Sequence, residues 1–363
     1  MQNIAVVFGG KTVEHDISII TGLGVIKNLS AKYNILPIFI DKKGEWWTGE
    51  SLKNAESFTA GFKAKKCFLL PNSPELCVKT AFSIHKTKID CAVLALHGGI
   101  YEGGAVEAVF NLSDIPTTSA GVMGSSVCMD KVVTKLILES IGVDTPKFAY
   151  GTDLNNLKTE IAKNELDFPL IVKPARGGSS IGITLAKSKK DLNSAIKYAQ
   201  NFDNKVIVEE CLSEFRELNI SLFRMGKEIK VSAIEEVFCP KFYGFEEKYQ
   251  KDLTRKVPAD LEPKLAEKIK YLATLAYQTL DLQGVVRMDF FLANEQIYLN
   301  EINTIPGSFA FYLWRSEGIS FSKLLSLNIE NAINQFLEKQ TLNYEYNSNV
   351  LKDLSKIDKI IEK

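Results

Sequence analysis

Three oxygen-bearing side chains and one arginine lie close together near residue 300, in an otherwise apolar stretch. Arg287 and Asp289 fall in one apolar run, and Glu301 and Asn303 end the next. Two carboxylates and an amide oxygen form a hard ligand set, typical of a Mg²⁺ site that also accepts phosphate oxygens. Polar ends of ordinary hairpin strands are the alternative, but three such groups beside an arginine favour the metal.

The two apolar runs predict the hairpin that would position these side chains. Strands over residues 285–292 and 297–302 are separated by a short polar turn at 293–296. Because side chains alternate along a strand, residues two apart share a face. Pairing of the two strands would therefore direct all four groups into one patch.

A glycine-rich loop is the second candidate site. Lys173 and Pro174 end an apolar run, and residues 177–180 read Gly-Gly-Ser-Ser. Glycines let backbone N–H groups approach phosphate oxygens closely, serine hydroxyls add donors, and the lysine supplies a point charge. A flexible hairpin tip at the surface has the same composition, so the loop alone does not distinguish the two interpretations.

Acidic residues and one histidine give weaker signals. Glu209 and Glu210 end another apolar run, and Glu217 follows. The backbone at a strand end can bind an adenine edge, and a carboxylate can bind ribose hydroxyls. The alternative is that these glutamates are only solvated, as glutamates at strand ends usually are. His97 lies between an apolar run and two glycines, where it would contact a ligand. The histidine spacing matches no zinc pattern, and no GxSxG nucleophile motif occurs.

Composition and charge exclude several classes of protein. The 363 residues are 45% hydrophobic and 24% charged, and 44 Lys+Arg balance 44 Asp+Glu. We therefore expect an enzyme of two or three domains with neither nucleic acid nor membrane as a partner. No signal-peptide pattern is present, and no apolar run approaches the ~20 residues of a membrane span. The six cysteines lack CxxC spacing, so a reduced, cytoplasmic protein is expected.

Apolar periodicity predicts the elements that carry these groups. Strands over 3–8, 35–40 and 91–96 and a helix over 17–29 indicate a Rossmann-like parallel unit, with ligands expected at the loops 9–18 and 97–107. Further strands are predicted over 168–173 and 206–210, and helices over 129–141, 189–200 with Ser188 as N-cap, 261–280 and 320–338. The polar segment 240–260 is predicted to contain a mobile loop. A short amphipathic helix in the tail is indicated by the spacing of Leu351, Leu354, Ile357 and Ile361.

Taken in order, these motifs resemble those of the D-alanine–D-alanine ligases, a family of ATP-grasp enzymes. Each motif alone is modest, but the ordered set, which covers residues 1–340, is specific. The motifs are 8–18 (FGGKTVEHDIS), 97–98 (HG), 129–131 (MDK), 172–182 (VKPARGGSSIG), 208–210 (VEE), 246–249 (EEKY), 287–289 (RMD) and 300–307 (NEINTIPG).

The resemblance implies an α/β fold of the α+β ATP-grasp type. An N-terminal Rossmann-like domain with a parallel sheet would span residues 1–120. A small ATP-grasp subdomain would follow over 121–208 and a large one over 209–340, with ATP held between them. The large subdomain would carry the Mg²⁺ site and a lid loop over 240–258, and residues 341–363 would form a tail.

The resemblance also implies an activity: ATP-dependent ligation of two D-alanines to D-alanyl-D-alanine, for peptidoglycan precursor synthesis, through an acyl phosphate. D-alanine and ATP would be the substrates and two Mg²⁺ ions the cofactors, with Mn²⁺ able to substitute, and the chain would form a homodimer. No protein nucleophile is required, so positioning and charge neutralisation would carry the catalysis.

Matching positions imply a role for each site residue. Glu14 would hold the first substrate's ammonium, Ser179 and Tyr249 would bond with Glu14 to order the lid, and Arg287 with the Gly307 backbone would stabilise the oxyanion. His97 would lie near the first substrate, and Ser308 and Tyr312 would complete the substrate-binding set. ATP would contact Lys131, Lys173, Ser180 and Lys248 at its phosphates, Glu209, Glu210 and Leu212 at adenine, and Glu217 at the ribose. Asp289, Glu301 and Asn303 would hold the two Mg²⁺ ions.

Three positions depart from the family pattern. Tyr312 stands where the family usually has a serine for the second substrate's carboxylate, Gly103 replaces an acidic residue after Glu102, and the tail is long. D-serine or D-lactate therefore remain alternative acceptors to D-alanine, and a nucleotide-binding relative without catalysis is a third interpretation. The intact metal ligands and lysines argue against this third interpretation.

Overall fold

The computed structural model describes residues 1–238 and 254–346 of the chain. A seven-stranded sheet occupies the N-terminal part, in the order β6-β5-β4-β3-β2-β1-β7. Its strands are β1 (Asn3–Gly9), β2 (Asn34–Ile40), β3 (Trp46–Thr48), β4 (Lys65–Leu70), β5 (Ser73–Lys79), β6 (Ile84–Lys88) and β7 (Cys91–Leu96). The predicted parallel unit is confirmed, since β1 pairs in parallel with both β2 and β7.

The antiparallel half of this sheet is a finding that the sequence pattern did not predict. Strands β3 to β6 add to β2 through antiparallel pairs. Every residue of β6 is exposed, and β3 has only three residues. Short strands without an apolar face give little periodic signal, whereas the fully buried run Ile4–Phe8 is typical of a parallel strand covered on both faces.

The helices of the described residues cover these sheets and connect their strands. They are α1 (His15–Leu29), α2 (Ser57–Ala60), α3 (Gly99–Glu102), α4 (Ala105–Leu112), α5 (Val122–Met129), α6 (Lys131–Ser140), α7 (Leu154–Lys163), α8 (Lys189–Ala199), α9 (Pro263–Thr279), α10 (Phe311–Arg315) and α11 (Phe321–Gln340), with 3₁₀ turns at Glu50–Lys53 and Gly307–Ala310. Within the described ranges, no helix combines the length and the apolar composition that crossing a membrane requires.

Helix α1 is fixed to the first sheet by one serine. Ser18 Oγ accepts from Gly9 N at 2.8 Å and donates to Ala95 O at 2.6 Å, so it contacts the ends of both β1 and β7. Gly9 has φ +94°, and a Cβ atom there would lie 2.1 Å from Ile40 O. Only glycine therefore fits where β1 turns towards the loop that carries Glu14.

A second, four-stranded antiparallel sheet has the order β10-β9-β11-β8. It consists of β8 (Phe148–Gly151), β9 (Leu170–Pro174), β10 (Thr184–Ala186) and β11 (Val206–Glu210). The predicted strands at 168–173 and 206–210 are confirmed to within two residues. The predicted N-cap is confirmed too, because Ser188 Oγ accepts from Asp191 N at 3.4 Å at the start of α8.

A third sheet carries the predicted hairpin. Its strands are β12 (Arg216–Met225), β13 (Glu228–Val231), β14 (Glu235–Phe238), β15 (Thr254–Lys256), β16 (Val286–Ala293) and β17 (Gln296–Asn303), in the order β15-β14-β12-β16-β17, with β13 beside β12. Asn294 and Glu295 have φ +48° and +63°, which fits a two-residue turn of type I′ between β16 and β17. The hairpin prediction is confirmed.

The helix predicted over 129–141 is confirmed as α6. It begins two residues later than predicted, because Asp130 has φ −91° and ψ 101° and caps α6 by accepting from the amides of Val132 and Val133. Within the segment 240–260, which the sequence predicts to contain a loop, residues 254–256 form β15, while 239–253 lie outside the described residues. The predicted tail helix also lies outside them, and the domain boundaries at 120, 208 and 340 stay a prediction.

One buried tyrosine tests the packing of α9 on the third sheet. Tyr277 is fully buried; its hydroxyl donates to Gly284 O at 2.9 Å and accepts from Arg224 N at 3.0 Å. Tyr277→Phe leaves both backbone groups unpaired, so we expect the free energy of unfolding in urea to fall by about 1–3 kcal/mol. Tyr271→Phe, on the same helix but 65% exposed, should change it little; equal effects of the two substitutions would contradict this account.

Candidate active site

The carboxylate of Glu14 lies where the first sheet meets the glycine-rich loop. Glu14 precedes α1 and is buried, and Ser179 Oγ donates a hydrogen bond to its Oε1. A Cβ atom at Gly98 would lie 2.3 Å from Glu14 Oε2, and one at Gly178 would lie 2.6 Å from the same atom. Glycines at both positions therefore let two backbone segments close around one carboxylate.

His97 is buried beside this carboxylate as a neutral side chain. Burial lowers the pKa of its imidazole to about 4, although a hydrogen bond with the Ile305 backbone opposes the shift. Nε2 lies 2.9 Å from Thr21 Oγ1 on α1, which fixes the orientation of the ring. At neutral pH His97 therefore acts by hydrogen bonding and shape rather than by charge.

Glu102 is a site residue whose role the sequence analysis missed. Its Oε2 accepts from Gly98 N at 2.9 Å and its Oε1 from Ile305 N at 3.4 Å. Burial and the charge of Glu14 raise the pKa of the Glu102 carboxyl to about 7. This carboxyl joins the His97 loop to the segment after β17, a contact across 203 residues that no local pattern reveals.

The hairpin places the four predicted groups together. Asp289 pairs with Glu301 in register, and Arg287 pairs with Asn303. Arg287 donates to both oxygens of Asp289, at 2.6 Å from Nε and 2.7 Å from Nη2, and Asn303 Nδ2 donates to Asp289 Oδ2 at 3.1 Å. Lys131 Nζ lies 3.9 Å from Glu301 Oε2.

This donor set fits a hard divalent cation. Asp289 and Glu301 supply carboxylates and Asn303 an amide oxygen, all at one end of the hairpin. In the part of the chain that the structure describes, no group of three or more His, Cys, Asp or Glu side chains is arranged to hold a metal. A cation on this hairpin would therefore take its remaining ligands from water or phosphate, as Mg²⁺ commonly does.

Lysines and the glycine-rich loop line a small cavity, which we call the lysine cavity. Lys131 Nζ donates to Gly177 O at 2.5 Å, and Lys173, Glu301 and residues 177–181 complete much of its wall. Ser179 and Ser180 have φ +52° and +59°, so the loop turns through left-handed conformations. The lysine side chains and the backbone of this loop form a cationic wall that suits phosphate.

Glu209 lies between two lysines. Lys173 Nζ donates to its Oε2 at 2.5 Å, and Lys135 Nζ lies 3.3 Å from its Oε1. Burial raises the pKa of this carboxyl, but Lys135 and Lys173 outweigh it and lower the value to about 2. Sequence reasoning missed Lys135, although its spacing of four residues from Lys131 puts both on one face of α6.

The other predicted nucleotide contacts lie along β11 and β12. Glu210 Oε1 accepts from Lys147 N at 2.7 Å, and Leu212 is half-buried. Glu217 is half-buried on β12, opposite Val237 and Phe291. Lys248 and Tyr249 lie outside the described residues.

A strained turn carries the predicted acceptor residues. Ser308, Phe309 and Ala310 have φ +49°, +54° and +49°, values that residues other than glycine rarely adopt. The turn leads into α10, whose Tyr312 ring lies 5.3 Å from the Arg255 guanidinium.

A cavity of about 210 Å³, which we call the central cavity, brings most of the predicted substrate residues together. Its lining includes Glu14, His97, Ser179, Arg287, Asn303, Gly307 and Tyr312, together with Glu102 and Arg255, whose roles the sequence analysis missed. Among the described residues, Ser308 is not part of this lining.

Glu102 predicts a pH dependence of stability. Between about pH 4.5 and 7 the folded protein keeps a proton that the unfolded chain releases, so this group lowers stability as the pH rises through that window. Glu102→Gln removes the titration, and the melting temperature of the variant minus that of the wild type should therefore increase from pH 5 to pH 8. Glu317→Gln, at an exposed position, serves as control; a pH-independent difference for Glu102→Gln would contradict the account.

Comparisons with known proteins cover nearly the whole chain. Family models of the D-ala D-ala ligase N-terminus and C-terminus match residues 3–120 and 137–330. A D-alanine–D-alanine ligase of Thermosipho melanesiensis is 38% identical over 365 residues, covering 97% of this chain and 99% of that protein.

Solved structures are similar over nearly the whole chain. The VanG D-Ala:D-Ser ligase of Enterococcus faecalis gives a TM-score of 0.78 at 28% identity, covering 92% of this chain and 99% of that one. A D-alanine–D-alanine ligase of Bacillus anthracis complexed with ATP gives 0.70 at 26% identity, covering 93% and 100%. With both halves matched by family models and a near full-length relative above one-third identity, the chain belongs to the D-alanine–D-alanine ligase family.

Proposed function

We propose that this chain joins two D-alanines to D-alanyl-D-alanine, with ATP converted to ADP and phosphate. One observation carries the proposal: the lysine cavity and the central cavity share Gly178 and Ser179 as wall residues. A cationic wall suited to phosphate therefore adjoins a pocket that holds both carboxylate and guanidinium groups. This arrangement fits the transfer of a phosphoryl group onto a bound amino acid.

In the first step, the carboxylate of the first D-alanine attacks the γ-phosphorus of ATP, an O–P bond forms, and ADP leaves. Glu14, held by Ser179, binds the ammonium of this substrate, and neutral His97 limits its position on the other side. Because a carboxylate is a weak nucleophile, the step depends on alignment and on neutralisation of the phosphate charge. No protein nucleophile is involved.

The phosphates are bound by the lysine cavity. Lys131 and Lys173 supply charge, and Ser180 with the loop amides supplies hydrogen bonds. Each lysine contacts a protein oxygen, Lys131 at Gly177 O and Lys173 at Glu209. Phosphate oxygens would join these contacts. Glu209, Glu210 and Leu212 would frame adenine, Glu217 would bind the ribose, and Lys248 would reach the transferred phosphate.

The metal site belongs to the same proposal. Asp289, Glu301 and Asn303 would hold two Mg²⁺ ions between the hairpin and the phosphates. When bound, Mg²⁺ neutralises charge on the phosphate oxygens. Arg287 contacts both oxygens of Asp289, so cation and guanidinium would compete for one carboxylate.

In the second step, the ammonium of the second D-alanine releases a proton to solvent, and the free amine attacks the acyl carbon to form the C–N bond. The C–O bond to phosphate then breaks, and phosphate leaves from the tetrahedral intermediate. Arg287 and the Gly307 amide, whose residues line the central cavity, stabilise the oxyanion. Ser308 and Tyr312 lie at the acceptor end, and Tyr249 closes over the site with Glu14 and Ser179. The proposed assembly is a homodimer. Analytical ultracentrifugation, which measures the mass of the particle in solution, tests it.

A different acceptor is the second candidate, favoured by Tyr312 at the expected serine position and by the similarity to a D-Ala:D-Ser ligase. Phosphate release from ATP is measured with D-alanine alone and then with added D-serine or D-lactate, and each product is identified by mass. We expect D-alanyl-D-alanine as the main product. If a mixed product forms in preference, D-serine or D-lactate is the acceptor rather than D-alanine. If no phosphate is released with any of these D-substrates, ligation is refuted altogether.

Asp289→Asn tests the metal assignment. The amide retains the shape of the side chain but removes a negative ligand, so we expect Mg²⁺ titrated by calorimetry with a non-hydrolysable ATP analogue to bind more weakly. The turnover number should fall by at least about 100-fold. Asp281→Asn, at a position 69% exposed as a side chain, is the matched control. Normal Mg²⁺ binding by Asp289→Asn would remove this residue from the metal site.

A further inference from the structure

Arg255 enters the central cavity from a strand with no assigned role. It lies in the middle of β15, opposite Val237 of β14, and its guanidinium lies 5.3 Å from the centre of the Tyr312 ring. Both side chains line the central cavity, with Gly307 and Arg287. Residues far apart in sequence thus bring a cation to the Tyr312 end of the pocket.

A buried carboxylate holds this arginine in place. Glu235 is fully buried; its Oε1 accepts from Arg255 Nη1 at 3.2 Å and its Oε2 accepts from Asn219 Nδ2 at 3.1 Å. Burial alone lowers the pKa of the guanidinium, but Glu235 and Tyr312 outweigh it and raise the value, so Arg255 stays charged. The pair with Glu235 uses Nη1, whereas a guanidinium carries five N–H donors in a planar fork.

The two arginines of the cavity differ in what they already bind. Arg287 directs Nε and Nη2 at both oxygens of Asp289. Arg255 meets Glu235 through one nitrogen and also hydrogen-bonds with Tyr312, and Glu235 itself does not line the cavity. Arg255 is therefore the cavity cation whose fork is better placed to take a second carboxylate, with two parallel N–H···O bonds.

The chemistry of the second step gives such a group a role. The acceptor is a zwitterion whose ammonium releases a proton to solvent before the amine attacks the acyl carbon. That carbon lies beside Arg287 and Gly307, which bind the oxyanion in the proposed mechanism. The carboxylate of the acceptor must then lie away from the transferred phosphate, because two anions in one pocket repel each other. Tyr312 offers a hydroxyl at this place, and Arg255 offers the countercharge.

We propose that Arg255, together with the Tyr312 hydroxyl, binds the α-carboxylate of the second D-amino acid. The inference rests on the proposed ligation and extends it: Arg255 makes the acceptor site specific for a free carboxylate. Lysine at this position would keep the charge but lose the planar fork, so Arg255→Lys should recover only part of the effect.

The test compares two acceptors of nearly the same shape, D-alanine and D-alaninamide, of which only D-alanine carries a carboxylate. Ligation rates over a range of D-alanine concentrations give separate donor and acceptor Michaelis constants. For Arg255→Gln we expect the acceptor constant to rise about 10- to 100-fold, the loss of one charged hydrogen-bonded contact, with the donor constant changing little. The preference for D-alanine over D-alaninamide should fall by a similar factor.

Two further variants control the experiment. Lys256→Gln removes the neighbouring exposed cation of the same strand and should leave both Michaelis constants unchanged. Because Arg255→Gln leaves buried Glu235 without its cation, the double variant Glu235→Gln/Arg255→Gln removes both charges together and keeps the test valid if the single variant unfolds. It should show the same rise in the acceptor constant.

The outcomes separate this inference from the proposed function. If the wild type releases no phosphate with D-alanine, the ligation itself is refuted. If the wild type ligates, but the folded Arg255 variants keep the wild-type acceptor constant, the inference is overturned. If the wild type makes no measurable product from D-alaninamide, the acceptor Michaelis constant of the Arg255 variants alone decides whether the inference holds. A matching rise in the donor constant would move Arg255 to the first substrate and likewise overturn the proposal.

Discussion

The contact between Glu14 and Ser179 is the constraint on which the rest of the site depends. It joins a residue that follows the first parallel strand to a loop that follows β9, across 165 residues of chain. Gly98 and Gly178 permit it, since a Cβ atom at either position would collide with the Glu14 carboxylate. Ser18, by holding α1 to the ends of β1 and β7, fixes where this carboxylate lies. The lysine cavity and the central cavity then share one wall.

Paired charges are the second general feature of the site. Lys173 and Lys135 flank Glu209, and Arg287 contacts both oxygens of Asp289. A buried charge without a partner would be strongly destabilising. Glu209 and Asp289 avoid this because each lies against a cationic side chain. These groups lose their water on folding, so an ionic substrate or cation that binds them does not bear that part of the cost of desolvation.

The sequence predicted most elements whose periodicity is local, and it missed contacts that are not. The hairpin with Asp289 and Glu301 could be predicted because alternation along two adjacent strands decides which side chains share a face. The break at Asp130 also had a local signal, since aspartate before an apolar helical run is a good N-cap. Glu102 and Arg255 had none: Ile305 lies 203 residues from Glu102, and Arg255 meets Tyr312 only through the pairing of β15 with β14.

The acceptor end of the pocket rests on elements separate from those that carry the chemistry. Arg287 and the predicted metal ligands lie on β16 and β17, whereas Tyr312 lies on α10 and Arg255 on β15. The link between them is the strained turn at 308–310, three left-handed residues that buried Phe309 and Ala310 hold in place. The turn also packs against β16, the strand of Arg287 and Asp289. On the other side, Glu235, which holds Arg255, accepts from Asn219, the register partner of Asp289. The acceptor end is therefore carried by separate elements, but each of them is positioned by contacts with the sheet that carries the predicted metal ligands.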